Sequence, residues 1–474
     1  MHLADRAPER HRLPPGRSLP WGILGPGRFR IVGATGLENH DDEEVMGEHR
    51  QSAQVGRALG LTRVVHVVRD VEFGSGTRYA QGVLTVDRGE VEALVAHPAL
   101  GAVRLSWACP GDSVRIVKVL DSVEPRTKGP GGGGIFPGFV GPLRAQGRGE
   151  THILRGAAVV AAGFLPRAQE ALVDMSGPAA PLSPLGATRN LVVEFEPAAS
   201  APWEDVDDAL RRGLLKLASH LAEAALEAPP DATEEVPTAG DRHLDLPRVV
   251  AITNLQTQGL FKDVFVYGRS FRGGLPALID PGALDDGVVV SGQFGHPGLK
   301  NPTYMHQNHP VLEALRVRHG RDLILAGVVI CPEPVDQAGK ELISAHAARL
   351  CAAIGIDAAV VTKEGAGNAD ADMALKMDAL EDLGIPAVGL FAEMAGPDGT
   401  APPLVVPPER ATAMVSTGNY DERIALPAVE RALGGERFDL LASPAAAALE
   451  VPTAVVYCSL SPLGWGRLTC REAA

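Results

Sequence analysis

From residue 247 onward, short apolar runs alternate with stretches of helical period, and this alternation constrains the fold more than any other feature of the chain. The runs at 249–254, 323–330, 358–362, 387–391 and 413–416 lack a polar alternation, the pattern of strands covered on both faces. Between them, 340–354 places Ile343, Ala347, Leu350 and Ile354 on one helical face, and 373–383 does the same with Met373, Met377, Leu380 and Leu383. Strands and helices in this order predict a doubly wound, mostly parallel α/β domain over 247–474, with its functional loops at the carboxyl ends of the strands.

Upstream, 64–227 reads as an α+β, strand-rich domain. Strands are expected at 64–71, 82–86, 114–120, 156–162 and 190–194, and an amphipathic helix at 203–227 with Leu210, Leu214, Leu217 and Leu221 in its stripe. A Pro- and acid-rich stretch, 228–246, reads as a linker. Residues 1–60 lack periodicity and read as a disordered extension. Within them Ile31-Val32-Gly33-Ala34-Thr35-Gly36 looks like a nucleotide-binding strand-turn, but no apolar helix follows it.

The chain's 474 residues, 45% hydrophobic, can bury a substantial core, and a formal charge of −14 argues against nucleic acid or an anionic membrane surface as partner. Five cysteines without CxxC spacing suggest neither a disulfide framework nor a zinc ribbon. No apolar run is long enough to span a bilayer, and the N-terminus lacks a signal-peptide stretch. The expectation is a cytoplasmic, oligomeric protein whose partners are small molecules or proteins.

Polar residues cluster where the strands should end. Asn254, Gln256 and Gln258 follow one strand, Glu364 to Asp372 another, Glu393 a third and Asn419 a fourth. In the second group Gly365 and Gly367 permit close backbone approach, while Asn368, Asp370 and Asp372 offer acceptors. Asn368 or Asp370 could equally cap the following helix. The run Gly131–Gly134 lacks the Lys-Ser/Thr of a phosphate loop and reads as a hairpin connection or lid. Between 286 and 310 lie Lys300, Asn301, Tyr304 and the clustered histidines His296, His306 and His309. The histidines are acid-base candidates and a weaker metal set, which would need a fourth ligand such as Glu364 or Asp263.

The 286–310 window, with its Lys300-Asn301-Pro302-Thr303-Tyr304 and His306, resembles the self-cleavage region of the glycine/sarcosine/betaine reductase component B proproteins. The resemblance extends over Pro110-Gly111-Asp112-Ser113-Val114, Gly134-Ile135-Phe136-Pro137-Gly138, Asp174-Met175-Ser176-Gly177-Pro178, Leu255-Gln256-Thr257-Gln258-Gly259, Glu364 to Asp372, Val415 to Asn419, and Leu463-Gly464-Trp465-Gly466. In that family a cysteine of the window becomes a pyruvoyl group that captures the substrate amine, and a separate selenocysteine subunit attacks the α-carbon. Here the two cysteine positions are Phe294 and Gly298, so the resemblance implies an unprocessed homologue without pyruvoyl. It would act with a reductase subunit carrying a reactive Cys or Sec on a small amine or amino-acid derivative. His306, Tyr304 and Glu364 are the expected catalytic residues; Asn254, Gln256, Gln258, Asn301, Asn368, Asp370 and Asn419 are expected to bind substrate. No cofactor is expected, with a metal as the alternative. The competing readings are a noncatalytic scaffold and a histidine- or metal-dependent hydrolase or lyase.

Overall fold

All ten residues of the strand Ile324–Glu333 are buried, a pattern that requires cover on both faces. In the computed structural model, which describes residues 60–166, 168–238, 245–257, 264–292, 294–411 and 413–472, this strand belongs to a seven-stranded sheet. Its order is Ala277–Ile279, Ile324–Glu333, Arg248–Gln256, Ala358–Thr362, Ala387–Glu393, Ala413–Asn419, Thr469–Glu472. The five middle strands are parallel and both edges are antiparallel. Side chains alternate across this sheet. Val250 and Ile252 meet Ile343 and Ala347 of the helix Gln337–Ala353 and Met373 and Met377 of Asn368–Glu381. On the other face Ala251 meets Leu312 and Leu315 of Pro310–Arg318. Gly389 permits the closest approach, because a Cβ there would lie 2.5 Å from the Met377 sulfur.

The order has a functional consequence. The chain runs from Arg248–Gln256 outward to Ile324–Glu333, then crosses back to Ala358–Thr362 on the other side. Connections diverge between Arg248–Gln256 and Ala358–Thr362, which opens a crevice at their carboxyl ends.

The upstream residues build sheets of mixed orientation. Leu61–Val67 lies parallel to Gly149–Arg155 and antiparallel to Ala232–Val236. A second sheet orders Leu100–Ala108, Arg189–Pro197, Ala157–Ala162 and Val119–Val123. The helix Trp203–Glu223 buries Leu210, Leu214, Leu217 and Leu221 against these strands. The expected strand 114–120 is two strands, Val114–Val117 and Val119–Val123, in different sheets. They break at Lys118, whose φ is +55°, a conformation no continuous strand tolerates.

The acid-rich segment 228–246, read from sequence as a linker, contains the edge strand Ala232–Val236. One of its acids is held across the sheet: Glu234 pairs with Arg155 at 2.6 Å and Arg63 at 3.4 Å. Downstream residues also return to the upstream sheets, with Arg431–Leu433 parallel to Val114–Val117. The described residues form one compact unit. The expected extension at 1–60 lies almost wholly outside them.

Candidate functional site: a buried lysine and carboxylate cluster

At the crevice, each strand passes from apolar to polar residues as it leaves the core. Thr253 and Thr362 are paired neighbours, and their hydroxyls lie 3.2 Å apart. Beyond them the Gln256 amide sits 3.5 Å from the Cβ position of Gly365, whose φ of +75° favours glycine.

The window after Val290 is tied down from three sides. Thr303 donates twice to Asp121, through its backbone N at 2.9 Å and its hydroxyl at 2.8 Å. The Ser291 backbone N in turn donates to the Thr303 hydroxyl at 3.0 Å. Asn301 donates its backbone N to Glu364 at 3.1 Å and its amide to the Lys363 carbonyl at 2.8 Å, and accepts from the Ser461 hydroxyl at 2.6 Å. Lys300 donates to the Ser291 hydroxyl and lies 3.5 Å from Glu364.

Behind this contact lies a second layer of charge. Lys363 donates to Asp370 at 2.6 Å and to the Gly365 carbonyl at 2.7 Å. Asp370 also accepts from the Gly367 backbone N at 2.9 Å, fixing the start of Asn368–Glu381. Lys340 pairs with Asp372 and reaches the Asn368 carbonyl at 3.2 Å, and Lys376 lies 3.8 Å from Asp372. Lys300, Lys340, Lys363 and Lys376 are each no more than 2% exposed. So many buried ammonium groups are tolerated only because carboxylates face them.

Burial outweighs that pairing for several acids. It raises the pKa of Glu364 despite Lys300, and that of Asp372 despite Lys376. Burial, with Asp372 beside it, pushes Glu333 up to about 8. Two carboxylate oxygens, Glu364 Oε2 and Asp372 Oδ1, have no hydrogen-bond partner among the described residues. Glu364, whose pKa burial raises, stands beside the buried Lys300, an arrangement suited to proton transfer.

The expected site residues divide between this cluster and other places. Asn301, Glu364 and Asp370 join it through the contacts above, and Gln256 lies beside Gly365 at its edge. Asn368 contributes its carbonyl to Lys340. Asn254 is buried at the end of its strand, and neither of its side-chain polar atoms has a partner among the described residues. His306 is also buried, and its ring nitrogens likewise lack described partners. Burial, then His309 and Lys300, hold its pKa well below the usual value, so it is neutral. His309 meets the Thr253 hydroxyl at 3.1 Å and is pushed by burial to about 3.

Tyr304 lies apart from the cluster. It packs against the core that holds Met305 and Tyr457, with Glu124 and Arg126 as its nearest charges, and burial raises its pKa. Asn419 spends its amide on the Gly396 carbonyl at 2.7 Å and on the Asp421 backbone N at 3.1 Å. His296 takes a left-handed conformation at φ +49° and donates its backbone N to Gln169. Gln258 and Asp263 lie outside the described residues. No group of three or more His, Cys, Asp or Glu among the described residues is arranged to hold a metal, so the three histidines do not converge as the alternative required. Nor is any helix among them long and apolar enough to cross a membrane.

Sequence reasoning passed over Asp121, Glu333, Lys340, Lys363, Lys376 and Ser461. Two signals were available: Lys363 directly follows the apolar run 358–362, and Asp372 and Lys376 stand one helical turn apart.

The positions that resemble the pyruvoyl-forming cysteines do not fit that group. Phe294 offers only hydrocarbon, and its ring lies 5.6 Å from Lys300 Nζ. Gly298 offers nothing, and a Cβ there would lie 2.9 Å from the Ala454 Cα and 3.0 Å from its carbonyl oxygen. Cys458, next to this site, is fully buried, and burial raises its pKa well above the usual value, which leaves an unreactive thiol.

Residues 59–471 match the family model described as glycine/sarcosine/betaine reductase component B subunits. Among curated proteins, the chain is 36% identical over 417 residues to the glycine reductase complex component B subunits alpha and beta of Peptoclostridium acidaminophilum, covering 85% of this chain and 97% of that protein. It is 33% identical to the sarcosine reductase complex component B subunit alpha of the same organism, over 77% of this chain and 87% of that one. The betaine reductase counterpart is 32% identical, over 77% and 86%. No solved structure matches the chain. With a family model spanning nearly all the described residues and relatives matched over most of their length, the chain belongs to the glycine/sarcosine/betaine reductase component B family.

Proposed function

We propose that this chain is an unprocessed component B homologue that supplies a substrate site to a thiol- or selenol-bearing reductase subunit. The substrate is a small amine or amino-acid derivative, and the partner supplies the electrons for its reductive cleavage. The observation that carries this reading is a combination: Phe294 and Gly298 lack any group able to start backbone cleavage, while Lys300 in the same window and Glu364, just after the strand Ala358–Thr362, keep a buried acid-base pair. A scaffold that had lost all chemistry would have no need to hold Lys300 and Glu364 out of water. The relatives are named as components of reductase complexes, which supports a partner subunit.

In this reading Glu364 and Lys300 move the proton that an amine leaving group requires. Neutral His306 and the Asn254 amide line the polar interior. Anaerobic affinity purification at native expression is expected to recover a reductase subunit with a reactive Cys or Sec. Intact-mass measurement is expected to give one species near 49.6 kDa, without a carbonyl that phenylhydrazine can trap. Recovery of the chain alone would sink the complex. Fragments meeting at Val290 and Ser291 would instead make Ser291, which Lys300 contacts, the origin of a pyruvoyl group.

A further inference from the structure

Two carboxylates lie within electrostatic reach of the Lys300 ammonium: Glu364, at 3.5 Å, and Asp121, whose charged form the lysine favours. All three side chains are buried. One ammonium set against two carboxylates leaves a negative charge in the interior, and taking up one proton removes it. The hydrogen bonds of the two acids differ, and the difference says which one takes it.

Asp121 is saturated. Its Oδ1 accepts from the Thr303 backbone N at 2.9 Å and its Oδ2 from the Thr303 hydroxyl at 2.8 Å. That hydroxyl is fixed from behind, because it accepts from the Ser291 backbone N at 3.0 Å. Protonating Oδ2 would turn the Thr303 bond round and strand the hydroxyl hydrogen, and protonating Oδ1 would set O–H against N–H. Glu364 is half used: Oε1 accepts from the Asn301 backbone N at 3.1 Å, while Oε2 has no hydrogen-bond partner among the described residues. A proton on Oε2 breaks nothing.

We propose that Asp121 is the permanent counter-ion of Lys300 and that Glu364 carries a proton on Oε2, so that the site rests as ammonium, carboxylate and carboxylic acid. Asp121 is then a positioning residue: its charge is among the causes that raise the pKa of Glu364, and so keeps the proton there. The other ionisable groups nearby add no net charge. Lys363 is neutralised by Asp370 at 2.6 Å. Glu333, pushed up to about 8, keeps its own proton at neutral pH. Burial leaves the Tyr457 phenol, the Cys458 thiol and the His306 ring uncharged. The use of the proton rests on the function proposed above. The partner's thiolate or selenolate attacks carbon, the C–N electron pair passes to nitrogen, and nitrogen takes the proton of Glu364 Oε2.

Infrared difference spectroscopy on the full chain alone, at pH 7, tests the assignment. Subtracting the Glu364→Gln spectrum from that of the unaltered protein is expected to leave a protonated carboxyl band and no carboxylate bands. In an Asp121→Asn background the same subtraction is expected to leave carboxylate bands, because Glu364 becomes the counter-ion of Lys300. Titrated, Glu364 is expected to ionise about 1–3 pH units lower in Asp121→Asn than in the unaltered protein. A merely structural Asp121 would lower the melting temperature without moving that titration. Carboxylate bands in the first subtraction, or a protonated Glu364 in the Asp121→Asn background, overturn the proposal; the first subtraction decides even if Asp121→Asn does not fold. Copurification of the reductase subunit is read separately. A recovered partner with an ionised Glu364 refutes this assignment alone, whereas a protonated Glu364 without a partner refutes the complex and leaves the assignment standing.

Discussion

Two of the buried charge networks among the described residues are built differently. Where upstream and downstream residues meet, Asp285 accepts from Arg63 at 2.7 Å, from Arg126 at 3.0 Å and from Arg316. Its neighbour Asp286 accepts from Lys128 at 3.0 Å, Thr151 at 2.7 Å and the Gly147 backbone N at 2.8 Å. Every oxygen of both carboxylates is used. At the strand ends the cations are lysines; Glu364 Oε2 has no hydrogen-bond partner among the described residues, and Asp372 Oδ1 has only the Lys376 ammonium at 3.8 Å. Arginine's planar fork suits the fixed pairing at Asp285, and Lys128 completes the saturated seam at Asp286. The first network is a saturated seam, whereas the second leaves Glu364 Oε2 without a hydrogen-bond partner among the described residues.

The sharpest way to break this contrast is to remove Asp285. Asp285→Ala leaves the buried arginines with fewer carboxylates: Glu313 and Glu234 for Arg63, Glu124 for Arg126 and Glu313 for Arg316. A loss of about 3–5 kcal/mol is expected in urea unfolding, the usual cost of stranding buried charge. A loss below about 1 kcal/mol, typical of exposed pairs, would mean the seam is not what holds the two stretches together.

Glu364→Gln probes the other network. The amide oxygen can still accept from Asn301, so stability should change far less than in Asp285→Ala, while activity of the assembled complex falls by about 10²-fold or more. Equal destabilisation with activity intact would make the strand-end cluster a second seam.

The difference also explains what could be read from sequence. The parallel strands were legible because burial on both faces leaves an unbroken apolar run: 358–362 corresponds to Ala358–Thr362 and 387–391 falls within Ala387–Glu393. Leu100–Ala108 escaped notice because Arg104, Ser106 and exposed Gly101 interrupt it as an outer strand of its sheet. The strand-end position of Gln256 and Glu364 was legible for the same reason as the strands. The buried lysines were not. Lys340 and Lys363 are buried by carboxylates from other elements; Lys363 at least follows an apolar run, but nothing local distinguishes Lys340 from a solvated lysine. Tyr304 was grouped with His306 by proximity in sequence, yet on the short helix Thr303–Gln307 the two face different surroundings.

Gly298 offers a smaller perturbation, beside the cluster rather than within it. Its α-carbon already packs against Ala454, so Gly298→Ala is expected to cost about 1–3 kcal/mol by overpacking. Gly298→Cys should cost at least as much and leave the chain uncleaved by intact mass. Cleavage of that variant would show that only the missing cysteine separates this chain from a processed one.

The gentlest probe is acid. His306 and His309 are neutral in the folded protein because burial depresses both pKa values, that of His309 to about 3. The sign follows: below about 6.5, the unfolded chain takes up protons that the folded chain refuses, so their contribution is fully present above that pH and is lost as pH falls. Each histidine is expected to add a slope of about 1.4 kcal/mol per pH unit. Asp121 and Glu364, whose pKa values burial raises, act in the opposite sense, so the comparison must be made against a variant. His309→Gln, which can keep a hydrogen bond to Thr253, should flatten the fall in stability between pH 6 and pH 4 by one proton's worth. Parallel stability curves for the two proteins would mean that His309 is already protonated when folded, and that the interior around Thr253 is polar enough to stabilise a charged imidazole.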